Sequence, residues 1–284
     1  MIQEWLNEYR PTSLEETKNA LREIMQEIAL AGLYRSGFYQ HAALYGGTAL
    51  RIFHGLNRFS EDLDFSLLRK DPGFDLSPYL LAIENEFLSL GLVVAIRKKE
   101  KSKDTFIQSA FIKSDSVWHE LELKNSLPQL HLQQPPSIKI KVEIDISPPL
   151  GFTTENKLLL KPFSFYVNCF TAPCLFAGKM HALLFRPWKI RVKGRDWYDL
   201  EWYIKKGIPL DYAHFLVRAQ QSGHLMTVPY SRDDFFQLLL LRIDSINFNQ
   251  IRDDIQRFIP DVKAIEIWSP EYFKQLVGKM KVEH

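Results

Sequence analysis

The chain has 284 residues, 46% of them hydrophobic, which is enough to build one large core or two smaller ones. Lysine and arginine number 36 against 34 aspartates and glutamates, so a net charge of +2 excludes a global attraction to nucleic acid or to a membrane surface. Any polyanion site must be local. The opening MIQEWLNEYR lacks the apolar core of a signal peptide and no run reaches the length of a membrane span, which predicts a cytoplasmic protein without membrane contact. Cys169 and Cys174 lie in the apolar stretch VNCFTAPCLFAG and are expected as free thiols filling core space.

In chain order, residues 14–35 carry apolar side chains at close to helical spacing and predict an amphipathic helix. The segment FYQHAALYGG reads as a short buried strand, after which Thr48 is expected to cap a helix through Leu50, Ile52 and Phe53, ending at a turn marked by Gly55 and Asn57. From Glu61 to Leu67 the pattern alternates, putting Leu63, Phe65 and Leu67 on one face and Asp62, Asp64 and Ser66 on the other, as in a strand. A helix is expected from Tyr79 to Leu90. Two β-rich runs, 92–97 and 105–112, then resemble a hairpin across the polar KKEKSKD turn.

The cleanest strand runs from Ile138 to Ile146, where isoleucines and Val142 alternate with Lys139, Lys141, Glu143 and Asp145 between two proline pairs. Beyond Pro173 helices are expected around 175–186, 195–206, 210–221, 232–245 and 249–258. The fold class predicted is therefore α+β and bilobed: a mixed sheet with helices over 1–170, and a mainly helical lobe over 171–284.

The chemistry starts from GGTALRIFHGLNRFSEDLDF, residues 46–65. A Gly46-Gly47-Thr48 turn opening a helix can turn backbone N–H groups toward phosphate, and Asp62 and Asp64 project from one face of the strand that follows. Each feature alone is commonplace: a glycine pair is usually a turn, and Asp-x-Asp is usually a solvated strand edge. Together with a third carboxylate they meet the needs of two-metal nucleotidyl transfer. Spacing favours Glu143 for that place, with Asp145 on the same face as the alternate. Arg58 and Ser60 stand where they could contact a triphosphate, whereas Arg51 reads equally well as an ordinary exposed helix cation. Lys179 falls on an apolar helical stripe, and Asp196 and Asp199 are spaced i, i+3 on a later helix. Arg186, Lys189, Arg191, Lys193 and Arg195 form a local basic run around Trp188 that could lead along an RNA backbone, or could simply be a solvated loop. No HExxH, GxSxG or Walker A sequence is present, which argues against zinc and serine hydrolases.

Four segments in order, GGTALRIFHGLNRFSEDLDF, IKVEID, AGKMHALLFR and KGRDWYDLEW, resemble the motifs of the AbiEii-type nucleotidyltransferase toxins, within the polymerase-β-like nucleotidyltransferase superfamily. The resemblance covers residues 40–205. It implies transfer of a nucleotide from an NTP, in some relatives onto the 3′ end of tRNA, with Mg²⁺ or Mn²⁺ on Asp62, Asp64 and Glu143 and with a cognate antitoxin supplied separately. By the same resemblance Lys179 contacts the NTP phosphates, Asp196 is the second catalytic residue of the helical lobe, and Asp199 anchors its helix by a buried salt bridge. A two-metal nuclease and a noncatalytic RNA- or partner-binding protein of the same fold are the rival expectations.

Overall fold

The structure, a computed structural model, describes residues 2–98, 116–123, 138–186, 193–225 and 230–283, and of 97–98 and 116–123 the backbone alone. The chain divides into two compact units. The first comprises Met1–Phe53, Phe59–Pro148 and Thr154–Cys169; the second comprises His54–Arg58, Pro149–Thr153 and Phe170–His284. The main division falls near residue 170, and the second unit also takes in two short segments from earlier in the chain.

The first unit is built on a seven-stranded mixed sheet in the order β3-β4-β5-β2-β1-β7-β6. Its strands are β1 (Ala42–Tyr45), β2 (Asp62–Leu67), β3 (Val94–Lys98), β4 (Ser116–Leu123), β5 (Ile138–Asp145), β6 (Thr154–Leu159) and β7 (Phe165–Phe170). β2 lies antiparallel to β1 and parallel to β5. Burial follows the alternation read in the sequence except at Ser66 and Glu143, which are buried although they stand on the polar face. Leu63 and Phe65 on β2, and Ile138, Ile140, Val142 and Ile144 on β5, are fully buried and supply the apolar layer that holds the two strands in place.

Helices α1 (Ile2–Tyr9), α2 (Leu14–Arg35), α3 (Gly46–His54) and α4 (Ser77–Ser89) complete this unit. Ser13 caps α2 by accepting from the Glu16 N–H, while Glu16 reaches back to the N–H of Thr12. α2 and α4 cross so closely that a Cβ on Gly32 would stand 2.7 Å from the Cα of Ile83.

Three expectations shift. The segment expected as one strand around Ala42 begins with a 3-10 turn, Phe38–Gln40, opened by Gly37 at φ +73°, and only then becomes β1. α3 begins at Gly46, so Thr48 sits inside it and does not cap it. The run 105–112 lies outside the described residues, and the described partner of β3 is β4.

The second unit is mainly helical: α5 (Ala172–Phe185), α6 (Gly194–Lys205), α7 (Tyr212–Gln221), α8 (Arg232–Asp244), α9 (Phe248–Ile255) and α10 (Pro270–Val277). Phe176 of α5 stacks on Tyr203 of α6 at 4.2 Å between ring centroids, and Trp197 meets Phe248 and Phe273 edge-on. These contacts fix α6 against α5 and α9. Residues 210–211, expected as helix, pair in parallel with Val282–Glu283 as strands β8 (Leu210–Asp211) and β9 (Val282–Glu283), and Asp211 caps α7. Helix α10 has no counterpart in the sequence reading, although Ser269 followed by Pro270 is a recognisable helix start. Cys169 and Cys174 are buried free thiols, as expected.

Gly32→Ala forces α4 away from α2 or strains both, and should cost about 1–3 kcal/mol of stability. A lowered urea midpoint for a variant with unchanged far-ultraviolet circular dichroism checks this.

Candidate functional site

In the first unit the glycine turn lies close against the strand that carries Asp62 and Asp64. Gly46 has φ +84°, a conformation that a side chain would strain, and a Cβ there would stand 2.8 Å from Asp64 Oδ2. Only glycine lets the start of α3 approach that carboxylate so closely. Thr48 is fully buried and its hydroxyl donates to the carbonyl of Asp62, so its side chain fixes the start of β2 and is not presented to a ligand. The carbonyl of Ser60 accepts from Gln26 Nε2 at 3.1 Å. Arg51 is not a free surface cation: its Nε donates to Glu23 at 2.8 Å and its guanidinium lies 4.5 Å over the ring of Phe59.

The choice between Glu143 and Asp145 turns on register. In the parallel β2/β5 pair Asp64 is opposite Glu143, Asp62 is opposite Lys141 and Ser66 is opposite Asp145. Paired residues of neighbouring strands share a face and stand about 5 Å apart at Cα. Glu143 is therefore the immediate neighbour of Asp64, whereas Asp145 lies one pleat further on and accepts the Ser147 N–H at 3.0 Å. Lys141, unremarked in the sequence reading as a site residue, forms an ion pair with Glu143. Its position on the acidic face was visible in the alternation; its partner was not.

These residues form a set of oxygen donors of the kind that suits a small hard cation. Among the described residues no group of three or more His, Cys, Asp or Glu side chains is gathered as a ready-made metal cage. The set nonetheless fits Mg²⁺, which commonly takes one or two carboxylates and completes its shell with water and substrate phosphate oxygens. The cradle that a Cβ at Gly46 would fill keeps one edge of Asp64 uncrowded by side-chain carbon.

The second unit holds a separate charge network. Lys179 of α5 places Nζ 2.8 Å from Asp196 Oδ1 and 2.8 Å from Asp199 Oδ2. Arg186 Nη1 reaches Asp196 Oδ2 at 3.2 Å, and Arg58 grips Asp199 with Nε and Nη2, both at 2.6 Å. Asp199 is fully buried and Arg58 is 2% exposed. Burial alone would raise the Asp196 pKa, but Lys179 and Arg186 overcome it and draw the carboxyl down to about 2. Burial opposes ionisation of Asp199 in the same way, and Arg58 and Lys179 outweigh it, holding the carboxyl below the usual range. Arg58, expected as a phosphate contact, has its guanidinium edge engaged with Asp199.

Gly194 opens α6 where a Cβ would meet the Ile251 carbonyl oxygen at 2.2 Å, and its N–H donates to Asp254 at 2.9 Å. Two residues later stands Asp196, so α9 sets where the acidic helix begins. The sequence reading missed this role for Gly194 and Asp254. Of the basic run, Arg186 joins the network, Lys193 is exposed and Arg195 lies 4.4 Å over Phe258; Lys189 and Arg191 lie outside the described residues.

A family model described as "Nucleotidyl transferase AbiEii toxin, Type IV TA system" matches residues 28–278. Among solved structures, MenT4, the nucleotidyltransferase toxin Rv2826c from Mycobacterium tuberculosis H37Rv, is similar with a TM-score of 0.61 at 15% identity, over 96% of this chain and 87% of that one. That likeness is one of fold. JHP933 from Helicobacter pylori is similar more loosely, with a TM-score of 0.49 at 17% identity over 92% and 88% of the two chains. A search of curated proteins returns no match. No helix among the described residues is long and apolar enough to cross a membrane.

Two outcomes follow from this geometry. Lys141→Met removes the cation paired with Glu143, and should tighten binding of Mn²⁺ to the protein alone by about tenfold, the equivalent of one charge interaction of about 1.4 kcal/mol; titration calorimetry reads it. Asp196 has a folded pKa of about 2 against an ordinary 3.8, so its ion pairs contribute stability above pH 4 that is lost as pH falls toward 2. Asp196→Asn should flatten that part of the pH–stability profile, by about 2 kcal/mol between its ends, measured by urea unfolding.

Proposed function

The chain belongs to the AbiEii nucleotidyltransferase toxin family of type IV toxin–antitoxin systems, and we propose that it transfers a nucleoside monophosphate from an NTP to the 3′ hydroxyl of a tRNA. A family of this kind implies a nucleotide substrate and a cognate antitoxin. The observation that carries the chemical reading is the register of β2 on β5, with Asp64 beside Glu143 and with Gly46 drawn against Asp64.

In this reading Asp62, Asp64 and Glu143 hold Mg²⁺, for which Mn²⁺ can substitute. When bound, the metal supplies charge neutralisation at the phosphates and activation of the attacking oxygen. The backbone N–H groups of Gly46, Gly47 and Thr48 at the start of α3 receive phosphate oxygens, favoured by the helix terminus. Thr48 adds a second task through its side chain, which keeps Asp62 at the head of its strand. Lys141 competes with the metal for Glu143, because its ammonium holds one of the two carboxylate oxygens. Lys179 is the cation assigned to the phosphate charge, and Asp196 orients it. Asp196 itself is a poor general base, because a carboxylate with a pKa near 2 held by two cations has little affinity for a proton. Ser60 remains assigned to the nucleotide from its place just before β2. Arg186, Lys189, Arg191, Lys193 and Arg195 are assigned to the RNA backbone, a contact that would weaken steeply with salt.

Incubation with each α-labelled NTP, Mg²⁺ and total RNA tests the proposal. Label should appear on the 3′ end of tRNA and fall by about a thousandfold or more in Asp64→Ala. Label on no RNA, or equal label with Asp64→Ala, overturns it. RNA shortened without added NTP would assign the same carboxylates to a nuclease, and RNA binding indifferent to Mg²⁺ and to Asp62 and Asp64, without transfer, would leave a noncatalytic binder. Expression in the absence of antitoxin should arrest growth, and folded Asp64→Ala should not.

A further inference from the structure

We propose that Arg58 is a positioning residue for Lys179, acting through Asp199 and without touching the substrate. The proposal rests on the reading of Lys179 as the phosphate cation. Asp199 Oδ2 accepts from Arg58 Nη2 at 2.6 Å and stands 2.8 Å from Lys179 Nζ, so one carboxylate oxygen links the two cations. Arg58 Nε holds the other oxygen at 2.6 Å, and this two-point grip fixes the carboxylate plane in a way that a single charge cannot. At 2% exposure the guanidinium is shielded from any ligand.

The segment that delivers it, His54–Arg58, belongs to the second unit although the chain on either side belongs to the first. It is tied to α6 a second time, where the Tyr198 hydroxyl donates to the Asn57 carbonyl at 3.0 Å. The ammonium of Lys179 is thus held between Asp196, one turn earlier on α6, and an Asp199 whose own orientation is set from elsewhere in the sequence. Without the fork Asp199 is a buried carboxylate that leans on Lys179 for its counter-charge, and the ammonium is drawn toward it and away from Asp196.

A double-mutant cycle of Lys179→Met and Arg58→Lys, read as kcat/KM for nucleotide transfer with melting curves alongside, tests this. Lys179→Met should lose about a hundredfold, as for one charge-stabilising donor, and Arg58→Lys about tenfold or more through misplacement. The double variant should be no slower than Lys179→Met alone. Losses that multiply would show that Arg58 acts on substrate independently and overturn the proposal. So would Arg58→Lys at the unmutated rate, or a loss that merely tracks the unfolded fraction. Lys179→Met at the unmutated rate overturns the reading of Lys179, and the proposal with it, and is recognised from that single variant. If Arg58→Lys does not fold, Arg58→Gln with Asp199→Asn removes both buried charges together and enters the same cycle.

Discussion

The parallel pairing of β2 with β5 is the constraint on which the acidic face depends. A shift of one residue would turn Asp62 and Asp64 toward the core and Leu63 and Phe65 toward solvent, so the fully buried apolar side chains of both strands hold the carboxylates in their positions. A shift of two would keep the faces but set Asp64 beside Asp145 or Lys141 instead of Glu143. The hydrophobic layer excludes the first error. The Thr48 hydroxyl bond to the Asp62 carbonyl separately ties the head of β2 to the start of α3.

In the second unit charge does what apolar packing does in the first. Among the described residues three cations, Arg58, Lys179 and Arg186, form ion pairs with two carboxylates, Asp196 and Asp199. Buried ion pairs of this kind recover the cost of desolvation only when their geometry is good and every partner is present. Their value lies in orientation: a lysine has many rotamers, and two carboxylates at 2.8 Å select one region of them.

Much of this was legible in the sequence. Strands β2 and β5 were announced by strict alternation, α2 by helical spacing, and the order of acidic and basic motifs by their resemblance to a toxin family. What was illegible has common causes. Register is a property of two strands, so neither strand alone could choose between Glu143 and Asp145. Arg58 and Asp199 are far apart in the chain, and nothing local distinguishes a guanidinium that will be buried from one that will meet phosphate. Thr48 has the composition of a helix cap, but Gly46 at positive φ starts the helix earlier and leaves the threonine hydroxyl facing β2. The edge strand β6, TENKLL, is too polar for its strand character to stand out from a loop.

The short segments His54–Arg58 and Pro149–Thr153 have a consequence for how the protein can be cut and assembled. Because the second unit draws pieces from three places in the chain, it cannot be excised by one cleavage. A fragment beginning at Phe170 would lack both Arg58 and the partner that Thr153 offers to Thr171 and Cys174. During synthesis the arginine that clamps the acidic helix is made 141 residues before the carboxylate it grips. The charge network therefore cannot form until Asp199 has been made.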